Sequence, residues 1–202
     1  MSRLTFSLIL LLAFCHSSFG HDLPDGEIER RVQISVKPDR VLIEYTIAMN
    51  DVTLGKQLKT QLEKDGTQPA DETPERWKQY QELALRMLPE KVSLKVDGKT
   101  VPLKGLRASV SGWSHPHLVC LLKADVQTKR SGARISVTDG NFPDAPGQFR
   151  IAMKGRSGAS IENASVPTTV SRAKGVSLED LTNQQRRMAL TATGEIVLDQ
   201  PE

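Results

Sequence analysis

The sequence predicts a mainly β protein: an immunoglobulin-like antiparallel β-sandwich with a helical insert at about residues 54–88 and a C-terminal helix. Two observations predict the sandwich, namely short stretches in which apolar and polar residues alternate and turn residues that separate these stretches. A third observation, the change to helical spacing after residue 54, predicts the insert. A β-barrel is the alternative arrangement of the same strands.

The first two strands are predicted to form a hairpin. Between Glu27 and Met49, alternation runs on either side of Pro38-Asp39, which is a turn pair. Because this pattern buries one face of a sheet, the hairpin should lay that face on the core. The alternating positions of the first strand are Ile28, Arg30, Val32, Ile34 and Val36.

The insert is predicted to contain two helices. A second helix should follow the first, with Thr73 as its N-cap, Pro74 at its first helical position and Pro89 at its end. The first helix is predicted from leucines at helical spacing: Leu54, Leu58 and Leu62.

The rest of the chain returns to strand patterns. Residues 156–175 are rich in small and polar side chains and are predicted to be irregular. Ser177 and Asp180 form a capping-box pattern that predicts a helix through about Ala189, and residues 194–202 are either a last strand or a tail. Further strands are predicted at 92–96, 101–110, 117–124, 133–138 and 148–153.

The N-terminus has the layout of a secretory signal peptide. Arg3 precedes an apolar run from Leu4 to Phe14, and the small residues Ser18 and Gly20 predict cleavage before His21. No other stretch has the roughly 20 apolar residues of a transmembrane helix. We therefore expect an exported protein, periplasmic or extracellular. The predicted divisions are a signal peptide at 1–20, a sandwich domain at 21–155, and an irregular segment with a helix at 156–202.

Composition excludes several classes of function. Hydrophobic residues make up 38% and charged residues 25% of the 202 residues, which is typical of a globular chain. The net charge of +3 is spread along the sequence, so we expect no nucleic-acid partner. The sequence contains no phosphate loop, nucleophile elbow, zinc ribbon or dinucleotide fingerprint, and it therefore predicts no enzyme class.

Three histidines suggest a metal site. As the first residue of the exported chain, His21 would offer its α-amine and ring nitrogen to one ion. In an extended chain His115 and His117 leave the same face, about 6.6 Å apart at the backbone, and Pro116 between them predicts a sheet edge or a loop. Imidazoles and an amine suit Cu, Ni or Zn. The predicted ligands of one Cu or Ni ion are His21, His115 and His117.

Other interpretations of these residues stay open. His115-Pro116-His117 can simply be a turn at the start of a strand. Cys120, the only thiol after the predicted cleavage, is predicted to be a core residue, with a soft metal ligand beside His117 as the alternative. Residues 139–144 are rich in side-chain oxygens but lack the spacing of a calcium loop, so a turn is predicted there.

Two patches of the sequence have a recognisable pattern, one that begins with His21-Asp22-Leu23-Pro24 and one at residues 139–143 with 147–150. Together they resemble the exported N-terminal domain of bacterial nickel/cobalt-transporter-like membrane proteins. The resemblance covers about residues 21–155, and in those domains the mature chain begins with His-Pro, whereas Asp22 follows His21 here. The resemblance implies an extracytoplasmic β-sandwich that takes part in transition-metal handling. Among the proposed ligands, it carries over only to His21. Its motifs here are His21-Asp22-Leu23-Pro24, residues 28–34, residues 37–41, Tyr45-Thr46-Ile47, Asp51 with Leu54, residues 139–143 and residues 147–150.

Three functions follow, in order of preference. The first is a binding module that buffers a transition-metal ion or delivers it to a membrane protein of the cell envelope. The second is a structural or interaction domain without metal, whose helical insert contacts another envelope protein. The third is a copper enzyme of the histidine-brace type, because an N-terminal amine and two imidazoles are its ligands. Since no segment is expected to span a bilayer, we expect no transport by this chain itself.

Overall fold

The computed structural model describes residues 23–63, 66–112, 116–128 and 131–199, and these build two packed β-sheets with helices at one side. The six-stranded sheet has the order β10-β8-β1-β2-β6-β5, and the five-stranded sheet the order β4-β3-β7-β11-β9. The strands are β1 (Glu29–Val36), β2 (Arg40–Ala48), β3 (Val92–Val96), β4 (Lys99–Val101), β5 (Lys104–Ser111), β6 (His117–Asp125), β7 (Ala133–Asp139), β8 (Gln148–Gly155), β9 (Ala159–Glu162), β10 (Val176–Ser177) and β11 (Thr191–Leu198). The helices are α1 (Asp51–Leu62), α2 (Thr73–Lys91) and α3 (Asn183–Ala189).

The predicted β-sandwich is confirmed. Strands β1 and β2 form the expected hairpin, and every second residue of each strand is buried against the core. All strand pairs are antiparallel except β1 with β8, which run parallel. The finer expectation, an immunoglobulin-like strand order, stays a prediction.

The helical insert closes one side of the sandwich. Trp77, Tyr80 and Leu88 of α2 are buried, and this helix packs on β5 and β6 of the six-stranded sheet. Gly105 of β5 allows the close approach, because a Cβ there would lie 2.4 Å from the backbone oxygen of Leu85. The second helix of the insert is therefore confirmed, with its buried face on the six-stranded sheet.

The helix boundaries differ from the expected ones in three places. The N-cap of α2 is Glu72 and not Thr73, which is already the first helical residue. Helix α2 does not stop at Pro89 but continues to Lys91, because burial of Leu88 holds the last turn against the core. Helix α3 does not open at Ser177, which lies in β10. It starts at Asn183, where Thr182 and Gln185 form the capping box.

The C-terminal part of the chain is more regular than the sequence predicts. Residues 159–162 form β9 instead of an irregular stretch, and β11 lies between β7 and β9 inside the five-stranded sheet. The single strand expected at 101–110 is two strands, β4 and β5, which lie in different sheets. β9 was missed because pairing with β11, and not local alternation, holds it in place. The last strand that the sequence left open at 194–202 is β11. Of the helices in the described ranges, none is long and apolar enough to cross a membrane.

Candidate metal centre

His117 lies at one end of the six-stranded sheet. It is the first residue of β6 and is paired in register with Ala48 at the end of β2 and with Ser111 at the end of β5. Its side chain is half-buried, and its Nε2 lies 2.9 Å from Ser111 Oγ. Pro116 lies outside the strands, directly before β6, which agrees with the loop that was one of its two predicted settings. The edge strand is β5, and β6 lies between β2 and β5.

The start of the described chain is anchored at the same end of this sheet. Asn50 follows β2 by two residues, and its Nδ2 donates to the Leu23 carbonyl at 2.9 Å and to Asp25 Oδ1 at 2.7 Å. The side-chain oxygen of Asn50 also caps α1 by accepting from Thr53 N at 2.8 Å. Asn50 therefore binds the N-terminal segment to the sheet and to the first helix at once.

A second contact fixes the direction of the N-terminal segment. The backbone N–H of Gly26 donates to Thr53 Oγ1 at 2.7 Å, and Thr53 is buried. The segment from Leu23 to Gly26 is thus held along the start of α1 before the chain enters β1. Its anchoring is a property of this fold that sequence alternation does not reveal.

Two of the three predicted ligands, His21 and His115, lie outside the described residues. His21 precedes Leu23 by two residues, which an extended chain covers in about 7 Å. His115 precedes His117 by two residues in the sequence, and His117 lies at the end of the sheet to which Leu23 is bound. In the part of the chain that the structure describes, no group of three His, Cys, Asp or Glu side chains is placed to hold a metal ion.

Cys120 is not a partner of His117. The thiol is fully buried on the core face of β6, as expected, whereas His117 lies three residues earlier on the opposite face. Burial raises the pKa of Cys120 to about 11. Because the two side chains lie on opposite faces of the sheet, Cys120 cannot share an ion with His117.

The loop at 139–144 is a turn, as predicted, and its acidic residues are engaged. Asp139 is buried and accepts hydrogen bonds from Tyr45 Oη at 2.6 Å and from the backbone N–H and side-chain amide of Asn141, both at 2.9 Å. Asp144 is bound to Arg186 at 2.7 Å. Asp139 is therefore engaged within the core, and Asp144 in an ion pair at the surface.

A buried arginine completes the group around Asp139, which we call the Asp139 cluster: Arg30, Tyr45, Asp139 and Asn141. Arg30 is fully buried, donates to the Asn141 carbonyl and lies 3.8 Å from Asp139. Its guanidinium stands over the rings of Phe142 and Phe149 at 5.9 and 5.2 Å. Nε and Nη2 of Arg30 have no hydrogen-bond partner among the described residues.

The electrostatics of the Asp139 cluster follow from its burial. Burial raises the pKa of Asp139, while the hydrogen bonds from Tyr45 and Asn141 and the charge of Arg30 act in the opposite direction. Burial, and next the neighbouring Asp139, raise the pKa of Tyr45 well above its usual range. The cluster connects β1, β2 and the end of β7 across the core, so it joins the two sheets.

The sequence carried one signal for this cluster. Arg30 occupies an inward position in the alternation of β1, between Ile28 and Val32, where a charge needs a buried partner. The partner could not be identified from the sequence, because Asp139 is more than a hundred residues away.

Comparisons with known proteins do not extend this description. No protein-family model matches the chain, and no curated protein is significantly similar to it.

Proposed function

We propose that the protein is exported, begins at His21 after cleavage, and binds one Cu or Ni ion with His21, His115 and His117. The ion would be buffered or delivered to a membrane protein of the envelope. What supports the proposal is the attachment of Leu23, through Asn50, to the end of the sheet at which His117 lies.

The local contacts fit such an ion. The hydrogen bond between Ser111 Oγ and His117 Nε2 is of the kind that orients metal-binding imidazoles. An N-terminal amine with imidazoles prefers Cu and Ni over Ca or Mg, whose usual ligands are oxygens. The anchoring of Leu23 would reduce the entropy that the chain loses when His21 joins the ion.

Calorimetry of the chain that begins at His21, with Cu(II) and with Ni(II), tests the proposal. We expect binding tighter than about 1 μM at pH 7.5, and a loss of at least about tenfold at pH 5.5, because protons compete with the metal for amine and imidazole nitrogens. One alanine placed before His21 converts the chelating amine into an amide and should weaken binding by about tenfold or more. Equal affinity with and without the added alanine would show that the N-terminal amine chelate of His21 is not the site.

The attachment of the N-terminal segment through Asn50 can be tested separately from the metal ligands. Asn50→Asp keeps an oxygen to cap α1 but loses the amide that donates to Leu23 and Asp25. We expect this variant to fold and to bind the metal more weakly. Asn163→Asp, which changes an exposed asparagine elsewhere, is the matched control and should leave the affinity unchanged.

A further inference from the structure

The outer face of the six-stranded sheet contains a cleft with unpaired charges, which we call the outer cleft. It has a volume of about 520 Å³. Gln33, Ser35, Leu42, Glu44 and Leu121 form its floor on β1, β2 and β6. Lys154 and Arg156 lie at the end of β8, and Thr169, Val170 and Ser171 form the opposite wall.

The wall is fixed to the floor by hydrogen bonds. Gln33 Oε1 accepts from the backbone N–H of Val170 at 3.2 Å, and Gln33 Nε2 donates to the Thr168 carbonyl at 3.5 Å. One residue before Thr168, the Pro167 carbonyl accepts from the backbone N–H of Met153 in β8 at 2.9 Å. The cleft is therefore built by the fold and is not a gap between loose loops.

Three charged side chains line the cleft without neutralising one another. Among the described residues, Lys154, Arg156 and Glu44 take part in no ion pair. Elsewhere on this face, by contrast, Lys123 is bound to Asp125 at 2.7 Å and Arg40 to Asp39 at 2.6 Å. The cleft therefore has two cations and one carboxylate whose charges no ion pair within the described residues neutralises.

The register of the strands separates the two signs of charge. Lys154 is paired with Ser35 and Glu44 with Gln33, so Lys154 and Glu44 are two strands and two residues apart. From ideal strand spacings their Cα atoms lie about 12 Å apart. The hydroxyls of Ser35, Thr169 and Ser171 and the side chains of Leu42 and Leu121 lie among them.

We propose that the outer cleft binds a short peptide by its two charged termini. The carboxylate of the peptide contacts Lys154 and Arg156, its ammonium contacts Glu44, and its backbone lies over the leucines and hydroxyls of the floor. Three extended residues span about 10 Å, which suits the separation of the charges. The cleft lies toward the end of β1 and β2 away from His117, so this proposal stands independently of the metal site.

Titration of the isotope-labelled chain with trialanine, followed by amide chemical shifts, tests the proposal. We expect shifts confined to the lining residues and a dissociation constant of about 1 mM or below. Trialanine amide should bind about tenfold more weakly, because it lacks the carboxylate, and N-acetyl-trialanine should lose about threefold. Succinate should also bind more weakly than trialanine, since Glu44 repels a second carboxylate.

Charge variants of the cleft test which residues contact the carboxylate of the peptide and which contact its ammonium. Lys154→Gln with Arg156→Gln should weaken trialanine binding by about tenfold or more, and Glu44→Gln by about threefold. The matched control is Lys95→Gln with Lys99→Gln, which removes two exposed cations of the five-stranded sheet and should change nothing. Absence of shifts at the lining residues at about 10 mM trialanine, equal binding of succinate, or an equal effect of the control pair would overturn the proposal.

Discussion

Two neighbouring arginines of β1 show how the two faces of one strand are used. Arg30 is fully buried in the Asp139 cluster and is surrounded by Asn141, Asp139 and two phenylalanine rings. Arg31 lies half-buried on the outer face, where partial burial and next the charge of Arg150 lower its pKa. The buried charge of Arg30 takes part in the contacts that join the two sheets. The charges on the outer face of the six-stranded sheet are accessible to a ligand or a partner.

The largest expected difference between the two faces is in the free energy of unfolding when each arginine is replaced by methionine. Arg30→Met leaves Asp139 buried without its cationic neighbour, so we expect the free energy of unfolding to fall by about 3–5 kcal/mol. Arg31→Met removes a like charge beside Arg150 and should change the free energy of unfolding by less than about 1 kcal/mol. Urea denaturation of both variants measures the two values.

A second variant distinguishes an unpaired charge from lost packing. In Arg30→Met with Asp139→Leu, no buried charge of the pair remains, and we expect a large part of the lost stability to return. A double variant that is as unstable as the sum of its single changes would show that the cluster acts through packing alone.

Phenylalanine variants of two buried tyrosines compare the loss of a hydrogen-bonded hydroxyl with the loss of a hydroxyl that has no partner among the described residues. Tyr45→Phe removes the donor to Asp139 and should lower the free energy of unfolding by about 1–3 kcal/mol. Tyr80→Phe is the matched control, since the Tyr80 hydroxyl has no hydrogen-bond partner among the described residues, and it should cost less than about 0.5 kcal/mol. Equal losses in urea denaturation would mean that the Asp139 contact contributes nothing specific.

The smallest expected effect concerns Cys120 on the inner face of β6. Because burial raises its pKa to about 11, the folded thiol stays protonated at pH 8 and should react with a disulfide reagent only in urea. The folded state holds the proton above the ordinary thiol pKa of 9.0, so stability should fall between about pH 9 and pH 11.

The control for this pH effect is Cys120→Ala, which has no thiol to titrate. Its unfolding free energy should depend less on pH in that range than the unfolding free energy of the natural chain. Rapid labelling of the natural chain without urea would contradict the buried, protonated thiol.

The strands and helices that the sequence predicted correctly are those whose buried face shows as a regular repeat of apolar residues. The alternation of β1 and β2 and the spacing of Leu54, Leu58 and Leu62 each placed an element correctly. β9 was not predicted, and for β11 the sequence left a strand and a tail open, because the pairing of both strands depends on distant partners. The same limit applies to function: the sequence singled out His117 but could not indicate the outer cleft, whose residues come from five separate segments.

The sequence by itself determined the mainly β class, the hairpin, the helical insert and the core position of Cys120. These follow from local periodicity, which requires only that a strand or helix buries one of its faces. Only the tertiary structure decided which residue neutralises Arg30, where the N-terminal segment is bound, and which charges stay unpaired on the outer face. The physical reason is that each of these depends on strand register and on contacts between residues far apart in the chain, and no local pattern encodes them.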